Sequence, residues 1–251
     1  MVDIDNFLIR CVDGTLADIG MPVLKHPVFY SCPVGLRFEI SDPMEDSDEP
    51  SYFESAYRRA AEIYIGLPAA PDILRIDIGL DPEESREGQL AGKRDDLRVI
   101  CGAAGLPVPE EERETSFSAD AGWGEAGIQR RAECYWDLKK ISPDLRSLLM
   151  QILLTDFPSA GGHPQFESAV FLFDTAGKLL FHLYDDRGLD LVAEDRDTLY
   201  PFYDGYGAWI MDCDRERIEG IFGRNRNRNG QKMAADAENA RFPLQYPKHL
   251  L

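Results

Sequence analysis

Three short apolar runs separated by two tight polar turns, between residues 168 and 193, constrain the fold of this chain more than any other feature. Ser168-Ala-Val-Phe-Leu-Phe173 is rich in the β-branched and aromatic residues that suit a strand, and Asp174-Thr-Ala-Gly177 has the chemistry of a turn. The pattern repeats in the run from Lys178 to Tyr184, the turn Asp185-Asp-Arg-Gly188 and the run from Leu189 to Ala193. Connections this short join antiparallel neighbours, because a parallel pair needs a crossover of about a dozen residues or more. A three-strand antiparallel meander is therefore expected.

Upstream, Val28-Phe-Tyr-Ser-Cys-Pro33 and Leu36-Arg-Phe-Glu-Ile40 read as two strands, the second with period-two alternation. A helix is expected from Ser51, where Ser51 and Glu54 match a capping box and Phe53, Ala56, Tyr57, Ala60 and Tyr64 share one face. Ile73 to Gly79 reads as a strand, with a helix around 95–104. Thr115 to Ser118 and Arg131 to Leu138 read as strands around a Gly-rich turn. A second helix starts with Ser142 as cap and Pro143 at its first position, and buries Leu145, Leu148, Leu149, Ile152 and Leu153. After the meander, a helix from about Asp197 carries Leu199, Phe202, Tyr203, Tyr206, Trp209 and Ile210 on one face, and Asp214 can cap a last short helix. The first 25 residues show only weak pattern. Hairpin-joined strands interleaved with helices predict an α+β fold, with a largely antiparallel sheet and helices packed on one face. Residues 1–223 are expected to form one domain. The tract Arg224-Asn-Arg-Asn-Arg-Asn-Gly230 opens a basic tail, 224–251, expected to be partly disordered.

The net charge of −18 argues against direct nucleic-acid binding, which needs a basic face. It suits a basic protein partner, whose encounter an acidic face would accelerate. No apolar run approaches the roughly 18–20 residues of a membrane helix, and the acidic N-terminus is unlike a signal peptide. A cytoplasmic location is expected. Five scattered cysteines without a C-x-x-C pair read as reduced thiols.

Few motifs suggest chemistry. Asp13-Gly-Thr-Leu16 resembles the opening motif of haloacid-dehalogenase-like phosphatases, but Cys11 stands where their nucleophilic aspartate is needed, so a glycine turn is the better reading. His182 reads as structural. Asp185, Asp186 and Asp190 form a carboxylate cluster without the spacing of a calcium loop, and Arg187 can pair one of them internally. No catalytic residue, metal site or cofactor is assigned.

The segment Phe181-His-Leu-Tyr-Asp-Asp-Arg-Gly-Leu-Asp-Leu-Val-Ala193, with Trp209-Ile-Met-Asp-Cys-Asp-Arg-Glu-Arg-Ile218 after it, resembles the signature of domain-of-unknown-function family 3885. The resemblance is closest over 178–222 and looser over 28–65. It implies a fold but no catalytic residue. Two functional expectations stand beside it. One is a non-enzymatic binding protein, such as an acidic immunity or antitoxin protein that blocks a basic toxin. Its contact candidates are Glu45, Asp46, Asp48, Glu49, Asp185, Asp186, Arg187 and Asp190. The other is a metal-dependent enzyme built on Asp185, Asp186 and Asp190.

Overall fold

A computed structural model describes residues 6–80, 97–98, 101–119, 127–157 and 168–223. The expected basic tail, most of the Gly-rich turn and part of the 95–104 helix lie outside the described residues.

Seven strands form one sheet: β1 (Gly35–Glu39), β2 (Ile73–Leu80), β3 (Glu111–Ala119), β4 (Gly127–Asp137), β5 (Ala169–Asp174), β6 (Leu179–Leu183) and β7 (Gly188–Ala193). Their order is β1-β7-β6-β5-β2-β4-β3, and every pairing is antiparallel. The expected meander is β5-β6-β7. It contributes the centre of the sheet, where all five β6 residues are buried.

Period-two alternation divides the strands between two cores. On one face, Leu74, Ile76, Leu172, Phe181, Leu189 and Leu191 pack with α3 (Pro50–Ile65), α4 (Leu145–Leu153), α5 (Arg196–Gly205) and α6 (Arg215–Phe222). This is the α+β packing expected from sequence. The second face is covered as well. Ile73, Tyr135, Phe171, Phe173, Leu180 and Val192 pack with Leu8, Val12 and Leu16 of α1 (Phe7–Asp18), and Val28 of the short α2 (Val28–Ser31) joins them.

Local chemistry explains most helix starts. Asp144, not the expected Ser142, caps α4 by accepting the Ser147 N–H, so Pro143 lies ahead of the helix; Asp195 caps α5 by accepting the Thr198 N–H. The expected capping box at Ser51 does not form: α3 starts at Pro50, whose missing N–H is no loss at a first helical turn. Asp214 precedes α6 but makes no side-chain cap bond, because its carboxylate accepts the Tyr30 hydroxyl. Two expectations are corrected. Residues 28–31 form α2 rather than a strand. Asp13-Gly14 lies inside α1 rather than in a turn, since Leu8, Ile9, Val12, Thr15 and Leu16 supply a buried helical stripe worth more than one glycine costs.

Candidate functional site

The Tyr-Asp-Asp-Arg-Gly segment is the turn between β6 and β7, and each of its side chains is engaged internally. Asp185 accepts the Arg187 N–H at 2.8 Å and is bridged by the Arg187 guanidinium. Asp186 accepts the Tyr52 hydroxyl from α3, which ties the turn to the helix layer. Burial raises the Asp186 carboxyl above its usual range, and the Tyr52 hydrogen bond pulls it partly back. Tyr184 folds over Gly188, and its hydroxyl accepts Arg37 Nε at 3.1 Å. A Cβ at residue 188 would collide with that phenol and lie 2.8 Å from Met211 Cε. Gly188→Ala is therefore expected to lower unfolding free energy by roughly 2–3 kcal/mol, read as a shifted urea midpoint. An unchanged midpoint would show that Tyr184 does not need this seat.

Asp190 points to the opposite face. It sits abreast of Arg37 on β1 and of His182 on β6. Its Oδ2 accepts the Phe29 N–H at 3.0 Å and its Oδ1 lies 3.2 Å from Arg37 Nε. Burial pushes the Asp190 carboxyl up to about 6, with Arg37 and the Phe29 N–H pulling it down. Arg37 also faces Asp214, at 3.6 Å, and lies over the rings of Tyr30 and Tyr184. His182 is enclosed as expected of a structural histidine: Nδ1 is 2.9 Å from the Val170 carbonyl, and the ring stacks on Phe171 at 4.4 Å. Burial pushes its pKa down to about 3.

The expected Asp185/Asp186/Asp190 cluster is thus divided. Asp185 and Asp186 converge instead with Asp156, with one oxygen of each within 4.8 Å of the others. Arg187 bridges Asp185 and reaches Asp156 at 3.3 Å, so the positive charge these carboxylates need is supplied by the protein itself. Asp190 lies outside this group, which removes one leg of the metal-enzyme expectation. It also removes Asp185, Asp186 and Asp190 as contact surface, because all three are buried. Arg187 remains exposed.

A larger ionic network was not anticipated. Under α1, Glu133 accepts from Arg131 Nε at 2.9 Å, Arg113 Nε at 2.5 Å, Thr115 Oγ1 at 2.7 Å and the Tyr135 hydroxyl at 2.5 Å. It also pairs with Arg75 at 2.7 Å. Arg75 forks onto Asp77, and Arg113 forks onto Asp13 of α1. Despite burial, these partners draw the Glu133 carboxyl down to about 2. The network and the Arg37 group share one transverse row: Glu111, Tyr135, Arg75 and Phe171 lie abreast across β3, β4, β2 and β5, and His182, Asp190 and Arg37 across β6, β7 and β1. Glu111, at one end, caps α1 by accepting the N–H groups of Leu8 and Ile9. The sequence signal was a charge alternation, Arg75/Asp77 and Arg131/Glu133, on strands that were readable singly but not yet paired.

The other expected contact residues are exposed. Glu45, Asp46, Asp48 and Glu49 line the loop between β1 and α3, held by Asp42 accepting the Met44 N–H and Asp46 accepting the Asp48 N–H. These turns leave Met44 in their midst 91% exposed. Arg59 secures the base of the loop through the Ser41 carbonyl and Asp42. Ile40 donates to the Arg187 carbonyl, so the loop departs beside the signature turn. Glu45 also borders a groove of about 400 Å³ along α3, with Tyr57, Ala61 and Ile65 among its lining and Glu54, Glu62 and Arg146 at its sides.

An antiparallel sheet covered on both faces, with a self-paired aspartate–arginine turn at its centre, defines a class of α+β protein in which the signature holds the fold. The chain belongs to the family described as Domain of unknown function (DUF3885), whose family model matches residues 16–214. A 74-residue stretch, 28% of this chain, is 32% identical to the uncharacterized protein YnaE of Bacillus subtilis (strain 168). That stretch covers 35% of YnaE, so the chain spans about a third of this relative's length. No solved structure matches the chain. Among the described residues, no helix is long and apolar enough to cross a membrane.

Proposed function

We infer that this chain is a protein-binding module whose contact surface is the acidic loop 42–49 together with the adjoining groove. Its partner is a basic protein, such as a toxin that the chain neutralises. The observation that carries this reading is Met44, an apolar side chain held out in solvent and surrounded by Glu45, Asp46, Asp48 and Glu49. An apolar anchor ringed by charge is how a docking surface combines affinity with steering: the anchor fills a pocket, and the rim accelerates encounter with an oppositely charged partner. Ile65, 45% exposed at the groove, extends the apolar contact. The acids of the signature turn serve the fold, which leaves the loop as the site for recognition.

The test is capture from the cell's own lysate by the tagged protein, at low and at high salt, with mass spectrometry of what is retained. One basic protein held at low salt and released at high salt is expected. Against that protein, Met44→Ala should weaken binding about tenfold, the cost of truncating one interfacial anchor. Binding untouched by both Met44→Ala and salt would remove the loop as the contact surface.

A further inference from the structure

The two edges of the sheet are finished differently. Beyond β1, Ile210 bridges to Phe38 and the Met211 N–H donates to the Arg37 carbonyl, so the chain itself covers that edge. At the other edge, β3 pairs with β4 over its whole length and, among the described residues, with no strand on its outer side. The Leu138 N–H donates to the Asp72 carbonyl towards β2, whereas the Tyr135 carbonyl accepts the Glu110 N–H towards β3. Odd-numbered residues of β4 therefore bond to β3, and in that register they face odd-numbered residues of β3. The backbone groups of Glu112, Glu114, Ser116 and Ser118 consequently point outward. Native proteins blunt such an edge with charge or proline. Here the charge stops halfway: Glu111, Glu112, Arg113 and Glu114 are followed by Thr115-Ser-Phe-Ser-Ala119, with no charged residue and no proline. We propose that a second copy of this chain pairs with β3 edge to edge, antiparallel about a two-fold axis at Thr115, making one continuous sheet from both copies.

Charge complementarity selects that register. An axis at Thr115 sets Glu114 opposite Ser116 of the second copy, Glu112 opposite Ser118 and Glu111 opposite Ala119, so every acid of the strand meets an uncharged residue. An axis one or two residues earlier would set Glu114 against Glu114 or Arg113 against Arg113, like charges in direct opposition. Thr115 is also the midpoint of β3, so this axis engages the strand from end to end. Arg113 comes opposite Phe117, a guanidinium–ring pair of the kind that Arg131 makes with Phe117 within the chain at 4.6 Å. Thr115 meets Thr115, a favourable cross-strand pair. Because β1 and β3 are opposite edges of the sheet, the dimer carries its two acidic loops at its outer ends and does not depend on their role.

Sedimentation equilibrium of the full chain, from about 1 μM to 1 mM, reads the association directly. Each copy carries a net charge of −18, so the measurement belongs at physiological salt, where the screening length is about 8 Å. A monomer–dimer equilibrium is expected. Ser116 is exposed and its N–H points away from β4, so Ser116→Pro removes an edge donor without breaking the β3–β4 ladder. That variant should be monomeric throughout, with an unchanged far-ultraviolet spectrum. Ser116→Glu and Ser116→Lys each place a charge opposite Glu114 of the other copy, twice per dimer. The first should weaken association about fivefold and the second should strengthen it by about as much. A wild-type chain that stays monomeric over the whole range would overturn the proposal. So would a dimer that survives Ser116→Pro, or equal effects from Ser116→Glu and Ser116→Lys. No partner protein is needed, so failure here is distinct from failure of the lysate capture.

Discussion

Replacing Glu133 with alanine should reduce unfolding free energy by about 3–5 kcal/mol, the range found when one member of a buried ion network is removed. Glu133 is fully buried and receives Arg75, Arg113 and Arg131 together with two hydroxyl groups. Its loss would leave Arg75, also fully buried, with Asp77 as its remaining carboxylate, while Nη1 of Arg75 already has no hydrogen-bond partner. Desolvation of the arginine would then go largely uncompensated. For a chain of this size the melting temperature should fall by roughly 2–4 °C per kcal/mol. Glu133→Gln, which keeps three of the acceptor geometries but not the charge, should fall between wild type and Glu133→Ala. A loss below about 1 kcal/mol in the alanine variant would mean that the arginines find water or other acids when Glu133 is gone.

The response to acid should be a moderate decline that steepens. The buried His182 imidazole, with a folded pKa of about 3 against 6.5, stays neutral while its unfolded counterpart takes up a proton. It therefore removes about 1.4 kcal/mol per pH unit as pH falls from 6.5 towards 3, and the His26 imidazole, pushed down to about 4 by burial, removes as much between 6.5 and 4. Asp190 acts in the opposite sense. Its folded pKa of about 6 against 3.8 lets the native state bind a proton first, so it adds stability at the same rate between pH 6 and 3.8. Over that interval Asp190 offsets one of the two histidines. Below about pH 4.5, Glu133 joins His182, because its carboxylate is held down to about 2 while the unfolded chain protonates. Stability measured by urea titration should thus fall by about 3 kcal/mol between pH 7 and 4.5, then drop by several kcal/mol more towards pH 3. Asp190→Asn should uncover the masked part of the slope, steepening the decline to about 2.7 kcal/mol per pH unit between pH 6 and 4.5. A slope through pH 6 to 4.5 that is the same in wild type and in Asp190→Asn would rule out this compensation.

Much of this architecture can be read from residues near one another in the chain. The meander announces itself through turn chemistry at 174–177 and 185–188, and α4 and α5 through their apolar stripes, though neither aspartate cap is legible. Legibility fails where a local signal has two physical meanings. Asp13-Gly14 has the composition of a turn, yet it continues a helix whose stripe of Leu8, Val12 and Leu16 lies on both sides of it. Val28-Phe-Tyr has strand composition, yet forms a single helical turn. The carboxylates divide for a reason that alternation contains: Asp190 lies between Leu189 and Leu191, which face the helix-rich core, so it must face the other way. Its partner Arg37 and the network at Glu133 depend on strand pairings between residues far apart in sequence, which no local pattern specifies. The exposed loop was readable because its charges need no partner to be recognised.

The bond between Asp13 and Arg113 joins the roof of the second face to the ion network beneath it. Asp13 lies upstream of residue 16, where the shared family region begins, whereas Arg113, Arg131, Arg75, Asp77 and Glu133 all lie within it. The helix that roofs the second face thus imports a carboxylate into a cluster whose other charged members belong to the common domain. Arg113 stands between the two layers, holding Glu133 of the sheet with one nitrogen and Asp13 of the helix with two others. The first helix and a single position in the third strand therefore form one electrostatic unit, although 100 residues separate Asp13 from Arg113.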